Sequence, residues 1–100
     1  IIIRDCLPKK IWNQIVPRAY GHWNGDVWKA IVHSRTYDHA DTYTCKADHG
    51  LGIIFKRKNK EQLRIKEKNF KNLKFSDYYN NHNEYMNLVS HEELKNLFLN

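Results

Sequence analysis

The chain has few of the residues that interrupt regular structure, with four glycines and two prolines in 100 residues. Hydrophobic residues make up 41% of it, which excludes a collagen-like chain, a low-complexity linker and a disordered tail. No apolar run approaches the roughly 20 residues that cross a bilayer, and we expect no membrane partner. A chain of this length forms a single domain over residues 1–100.

Cysteine is equally scarce. Cys6 and Cys45 are too few for a disulfide scaffold, so we expect reduced thiols and favour an intracellular protein. His33, His39 and His49 surround Cys45 at spacings that lack the close ligand pairs of zinc sites, and we expect no metal and no cofactor. The sequence also lacks a glycine-rich phosphate loop, a nucleophile elbow and a paired-carboxylate pattern, which argues against the enzymes built on them.

Positive charge is concentrated in one segment of the chain. The net charge is +6, but residues 56–74 carry nine basic and two acidic side chains, whereas residues 75–100 carry one basic and four acidic ones. The nine cations are Lys56, Arg57, Lys58, Lys60, Arg64, Lys66, Lys68, Lys71 and Lys74. Clustered cations attract polyanions and raise their association rate, so this segment predicts a contact with nucleic acid.

The hydrophobic pattern predicts an N-terminal helix over residues 7–17 followed by four strands. We expect the strands at residues 27–34, 42–47, 51–57 and 61–67. The last two form a hairpin with a three-residue loop at 58–60, because that register pairs Phe55 with Leu63 and Ile53 with Ile65 on one buried face. Lys56, Arg64 and Lys66 would then point outward as a basic ladder.

Helices are predicted to close the chain. Ser90 and Glu93 form a capping box that begins a helix over residues 91–99. Residues 77–89 predict another helix, with a break near residues 80–83. The expected fold class is α+β, with an N-terminal helix, a four-stranded antiparallel meander or small barrel, and one or more C-terminal helices.

One candidate activity is metal-independent RNA cleavage, which needs a base, an acid and a cation for the phosphate. Asp77-Tyr78-Tyr79, followed by His82 and Tyr85, resembles the histidine-bearing end of barnase-type microbial ribonucleases. The resemblance implies a toxin or effector domain cut from a longer protein, in which Asp48 would replace the family's upstream glutamate. The candidate catalytic residues are His82 with His33 or His49, and Arg64.

Residues 23–73 resemble a second family. Residues 24–32 (Asn-Gly-Asp-Val-Trp-Lys-Ala-Ile-Val) are similar to a strand segment of Tudor domains, residues 41–44 (Asp-Thr-Tyr-Thr) to the next strand, and residues 65–73 to the closing segment. The resemblance implies a small β-barrel in which Trp23 and Trp28 are walls of a cage for a methylated cation. His49 and Lys46 fall at the other two walls. A lysine repels such a cation, so the implied barrel suits nucleic acid better.

We therefore expect a binding module rather than an enzyme, with RNA favoured over DNA as its partner. The predicted hairpin supplies cations for phosphates, and aromatic rings beside it stack on bases. The predicted nucleic-acid-binding residues are Lys56, Lys58, Lys60, Arg64, Lys66, Trp23 and Tyr37. The first alternative is the ribonuclease, and the second is a Tudor-like interaction module whose acidic last helix docks a protein partner.

Overall fold

The computed structural model describes residues 1–4, 6–9, 14, 27–46, 50–65 and 72–99. These residues form an α+β fold, as expected. Its elements are β1 (Ile2–Ile3), α1 (Val27–Arg35), β2 (Asp41–Cys45), β3 (Leu51–Phe55), α2 (Phe75–Met86), β4 (Leu88–Val89) and α3 (His91–Leu99). The helix predicted over residues 7–17 lies mostly outside the described residues.

The four strands form one open, mixed sheet in the order β1-β3-β2-β4. β3 is antiparallel to both neighbours, with Ile53 opposite Ile2 on one side and Tyr43 on the other. β4 is parallel to β2, with Val89 opposite Cys45. The predicted all-antiparallel meander or barrel is therefore wrong. A crossover of residues 46–87 separates the two parallel strands, and only such a long connection allows parallel pairing.

Residues Val27–Arg35 form helix α1, so the strand expected at residues 27–34 is wrong. Trp28, Ile31, Val32 and Arg35 are buried, and their spacing of three and four residues places them on one side of a helix. The β-branched residues of the segment favour a strand only weakly, and the burial of this stripe outweighs that preference.

The segment after β3 contains no strand over residues 56–65, so the expected hairpin and its basic ladder are wrong. The Leu63 backbone N–H donates to the Arg35 carbonyl at 2.8 Å, and the Leu63 side chain enters a core beside α1. Leu63 therefore does not pair with Phe55, which lies opposite Asp41 instead. Residues 66 and 67, the end of the predicted strand, lie outside the described part of the chain.

Both predicted C-terminal helices are present, but the first ends at Met86, and residues 88–89 of that prediction form β4 instead. In α2, Asn81 has non-helical dihedrals of φ −128° and ψ 15°, which is the break expected near residues 80–83. In α3, the Ser90 N–H donates to Glu93 Oε1 and the Glu93 N–H donates to Ser90 Oγ, both at 3.1 Å. These reciprocal hydrogen bonds satisfy two backbone donors at the start of the helix and form the predicted capping box.

The sheet carries a hydrophobic core on each face. The first core contains Cys6, Trp28, Ile31, Val32, Leu63, Leu73, Tyr78 and Met86, and the second contains Tyr43, Cys45, Ile53, Val89 and Leu94. Side chains alternate between faces along β3, so Gly52 lies toward the first core while Ile53 faces the second. A Cβ at Gly52 would lie 2.6 Å from Ile31 Cδ1. The missing side chain allows α1 to approach the sheet closely. Cys6 and Cys45 are not joined by a disulfide and belong to different cores.

Candidate functional site

The basic loop (residues 56–64) is attached to the sheet through a fully buried carboxylate. Asp41 Oδ2 accepts a hydrogen bond from Arg57 Nε at 2.8 Å and another from the Tyr43 hydroxyl at 3.2 Å, while Oδ1 accepts one from the Lys60 N–H at 3.4 Å. The hydrogen bond to Asp41 raises the pKa of Arg57, because it favours the charged guanidinium. Arg57 is thereby committed to Asp41, whereas Lys60 is joined only through its backbone.

Asn59 attaches the middle of the basic loop to the end of α1. Its side-chain amide donates to the carbonyls of Arg35 and Tyr37, at 3.0 Å each, and its backbone N–H donates to the Asp38 carbonyl at 2.6 Å. Asn59 itself is buried. Lys58 and Lys60 adjoin Asn59 in the chain, so the backbone of this lysine pair lies beside Tyr37.

Two exposed aromatic side chains, His33 and Tyr37, lie near this attachment at the end of α1. Tyr37 is 53% exposed, and its hydroxyl forms a 2.8 Å hydrogen bond with His33 Nε2. The two rings meet edge to face with their centroids 4.9 Å apart. This contact orders the Tyr37 ring at the surface, where it can stack on a planar group. We call the basic loop and this ring pair together the loop–aromatic patch; its members are Lys56, Lys58, Lys60, His33 and Tyr37, whereas Arg64 lies at the end of the loop toward α2.

The predicted nucleic-acid-binding residues are thus only partly described. Lys56, Lys58, Lys60 and Arg64 are exposed, on an anchored loop rather than on a hairpin face. Trp23, His49 and Lys66 lie outside the described residues. Trp28, the other implied cage wall, is fully buried in the first core, where its ring lies 5.2 Å from that of Tyr78.

A cleft of about 630 Å³ lies beside α2. We call it the α2 cleft; it is lined by Leu7, Pro8, Lys9, Lys46, Gly50, Tyr78, Tyr79, His82 and Leu88. Tyr78 and His82 are four residues apart and occupy one side of the helix. The described lining contains two lysines and no carboxylate, so its charged groups favour an anion.

His82 presents a defined nitrogen to solvent. A carbonyl oxygen can only accept, so the 3.0 Å contact between His82 Nδ1 and the Tyr79 carbonyl requires a proton on Nδ1. In the neutral imidazole this leaves the lone pair on Nε2. Nε2 makes no hydrogen bond to a described residue and is able to accept a proton or a hydrogen bond from a bound molecule.

Tyr78 is 5% exposed yet lines the same cleft. Burial, with a smaller contribution from Cys6, raises the pKa of Tyr78 to about 12, so its phenol is neutral at physiological pH. Its hydroxyl makes no hydrogen bond to any described residue. The lining of the cleft therefore includes a neutral phenol.

The described members of the predicted catalytic set, His82, His33 and Arg64, do not share one cleft, and His49 lies outside the described residues. His82 lines the α2 cleft, whereas His33 pairs with Tyr37 on α1. Arg64 lines a different cleft of about 440 Å³, together with Asp77, Asn81 and Glu84 from the opposite side of α2.

The sequence prediction also missed Lys9 and Tyr79 as cleft residues. Tyr79 could have been found from its place in the Asp77-Tyr78-Tyr79 string before His82. Lys9 has no local signal, because its position depends on how the N-terminal segment packs.

Three further observations bear on function. Within the described residues, no helix has the length and apolar character needed to cross a membrane. Over the same residues, no group of three or more His, Cys, Asp or Glu side chains could hold a metal ion. No protein-family model, curated protein or solved structure matches the chain.

Proposed function

We propose that the protein is a binding module that contacts single-stranded nucleic acid, RNA before DNA, through the loop–aromatic patch. The observation that carries this proposal is the attachment of Asn59 to the Arg35 and Tyr37 carbonyls. It joins a loop of exposed cations to an exposed tyrosine. Cations supply salt-dependent affinity for phosphates, and a ring beside them stacks on a base without requiring a particular sequence.

Anchoring of the loop supports this function energetically. A flexible lysine-rich segment loses conformational freedom when it binds, and that loss reduces the affinity. Here the loop backbone is already ordered by Asp41 and Asn59 before any partner arrives. The lysine side chains are exposed, which suits a contact with the phosphate backbone that carries no sequence information.

The proposal is tested by measuring the affinity for fluorescent single-stranded RNA and DNA of about ten nucleotides, at about 50 and 200 mM salt. We expect tighter binding at low salt and a salt slope that falls by about one when Lys58 is replaced by Ala. Lys95→Ala is the matched control, because Lys95 is an exposed lysine on α3. Absence of salt-dependent affinity, or an equal effect of the Lys95 control, would reject the proposal.

A ribonuclease is the second candidate, and the placement of His82 in the α2 cleft favours it. His82 Nε2 could accept the proton of a ribose 2′-hydroxyl as its oxygen bonds to phosphorus. The bond from phosphorus to the 5′ oxygen breaks, and that oxygen takes a proton from water. This activity predicts RNA cleavage in the presence of a chelator, lost in His82→Ala and kept in His33→Ala. Cleavage that survives in His82→Ala would contradict it.

A further inference from the structure

The α2 cleft has the features of a ligand site that the loop–aromatic patch does not use. Its volume of about 630 Å³ lies within the usual range for small-molecule pockets, about 300–1,000 Å³. Leu7, Pro8 and Leu88 contribute apolar walls, while Lys9 and Lys46 contribute two exposed ammonium groups. This combination suits a ligand with an uncharged organic body and an anionic group.

Planar side chains add a second constraint on the ligand. Tyr79 is 64% exposed, and only part of its ring is covered by Phe75, whose centroid lies 6.2 Å away. The His82 ring lies 5.9 Å from that of Tyr78, at a tilt of 39°. Exposed and partly exposed rings at the mouth of a cleft favour a flat, aromatic ligand body.

A ring nitrogen of His82 supplies the third constraint. Nδ1 contacts the Tyr79 carbonyl, and in the neutral imidazole Nε2 is left as an acceptor. Tyr78 adds a neutral phenol to the same lining. The cleft therefore offers a polar partner for the edge of a base or for a ribose hydroxyl.

We propose that the α2 cleft binds a nucleotide unit, with its base against Tyr79 and His82 and its phosphate near Lys46 and Lys9. The inference goes beyond the proposed function, because it rests on side chains outside the loop–aromatic patch. A free mononucleotide and a unit within a nucleic acid strand share this chemistry, and the experiment distinguishes them.

The test is a calorimetric titration of the whole chain with adenosine 5′-monophosphate, adenosine and inorganic phosphate. We expect the mononucleotide to bind more tightly than either fragment, because only it engages the rings and the lysines together. Tyr79→Ala should weaken binding about five-fold or more, and Tyr79→Phe should retain it, since stacking requires the ring and not the hydroxyl. Lys46→Ala should weaken the mononucleotide but leave adenosine unchanged.

A matched control comes from the rest of the surface. Lys95→Ala removes an exposed lysine outside both candidate sites and should bind the mononucleotide normally. A short oligoadenylate provides the second arm. If the native chain binds the oligoadenylate but not the mononucleotide, and Tyr79→Ala no longer binds the oligoadenylate, then the cleft binds a nucleotide unit within a strand.

The inference is overturned if neither the mononucleotide nor the oligoadenylate depends on Tyr79, or if Lys95→Ala weakens mononucleotide binding as much as Lys46→Ala does. Its failure is separable from that of the proposed function. Lys58→Ala weakens the oligoadenylate through the loop–aromatic patch, but it leaves the mononucleotide unaffected.

Discussion

Tyr78 combines two roles at the scale of a single residue. Its ring belongs to the first core and packs against Trp28 and Phe75, with centroid distances of 5.2 and 5.6 Å. Its hydroxyl meets no described partner, yet the residue borders the α2 cleft. A phenylalanine would satisfy the packing equally well. The hydroxyl is therefore the atom whose contribution is separable by experiment.

The raised pKa of Tyr78 predicts a stability change at alkaline pH. The pKa is about 12 in the folded chain and 10.0 in the reference state, so the folded state holds the proton more tightly. Its contribution is complete below pH 10 and is lost as the pH rises to 12. Native protein should lose on the order of 2–3 kcal/mol of unfolding free energy in this window that Tyr78→Phe does not lose. Urea unfolding at stepped pH measures this difference, and parallel pH profiles would contradict it.

Asp41 shows why the individual contacts of the candidate site could not be predicted from the sequence. The charge segment at residues 56–74 was visible, and five of its described cations are exposed, three of them in the loop–aromatic patch. The residue spacing does not indicate that Arg57 binds Asp41, a carboxylate 16 residues earlier in the chain. Arg57 is therefore not available to a ligand as the exposed cations are. The partner of Arg57 is set by the register of β2 and β3, which places Asp41 opposite Phe55.

The position of the basic loop depends on the buried side-chain amide of Asn59. Asn59→Ala would leave the Arg35 and Tyr37 carbonyls without its two hydrogen bonds. The Arg35 carbonyl keeps the Leu63 N–H as a donor, so the loss is that of two hydrogen bonds at about 0.5–1.5 kcal/mol each, and we expect a total of about 1–3 kcal/mol in unfolding free energy. Asn96→Ala is the control, because Asn96 is exposed on α3. Denaturant unfolding measures both variants.

The same substitution tests the link between anchoring and function. At a temperature where Asn59→Ala remains folded, its affinity for RNA should fall, because the freed loop must be ordered on binding. An unchanged affinity would show that the cations act without a fixed loop. An unchanged stability would show that water replaces the two hydrogen bonds.

Elements with local signals were predictable, and elements defined by distant contacts were not. The capping box at Ser90 marks α3 because both partners lie within one turn. β2 and β3 were expected at residues 42–47 and 51–57, close to their observed bounds. α1 was mistaken for a strand because a run rich in β-branched residues hides the helical spacing of its buried side chains. The predicted fourth strand failed because the Leu63 N–H binds the end of α1.

At the scale of the whole molecule, the sheet separates two sets of interactions. The first core, under α1 and α2, contains Tyr78 and adjoins the α2 cleft, while the second core packs Val89 and Leu94 on the other face. The strand register enforces this division, because successive side chains of β2 and β3 point to opposite faces. Substitutions in the second core should therefore act on stability without changing the geometry of the cleft.

A double-mutant cycle across the sheet tests this division. Ile31→Val trims the first core and should cost about 0.5–1.5 kcal/mol, while Leu94→Ala opens the second core and should cost about 2–5 kcal/mol. Because the two side chains belong to different clusters on opposite faces, the double variant should equal the sum within about 0.5 kcal/mol. Urea denaturation of the native chain and the three variants measures the cycle. A coupling energy above about 1 kcal/mol would mean that the faces communicate through the sheet. In that case α3 would influence the α2 cleft.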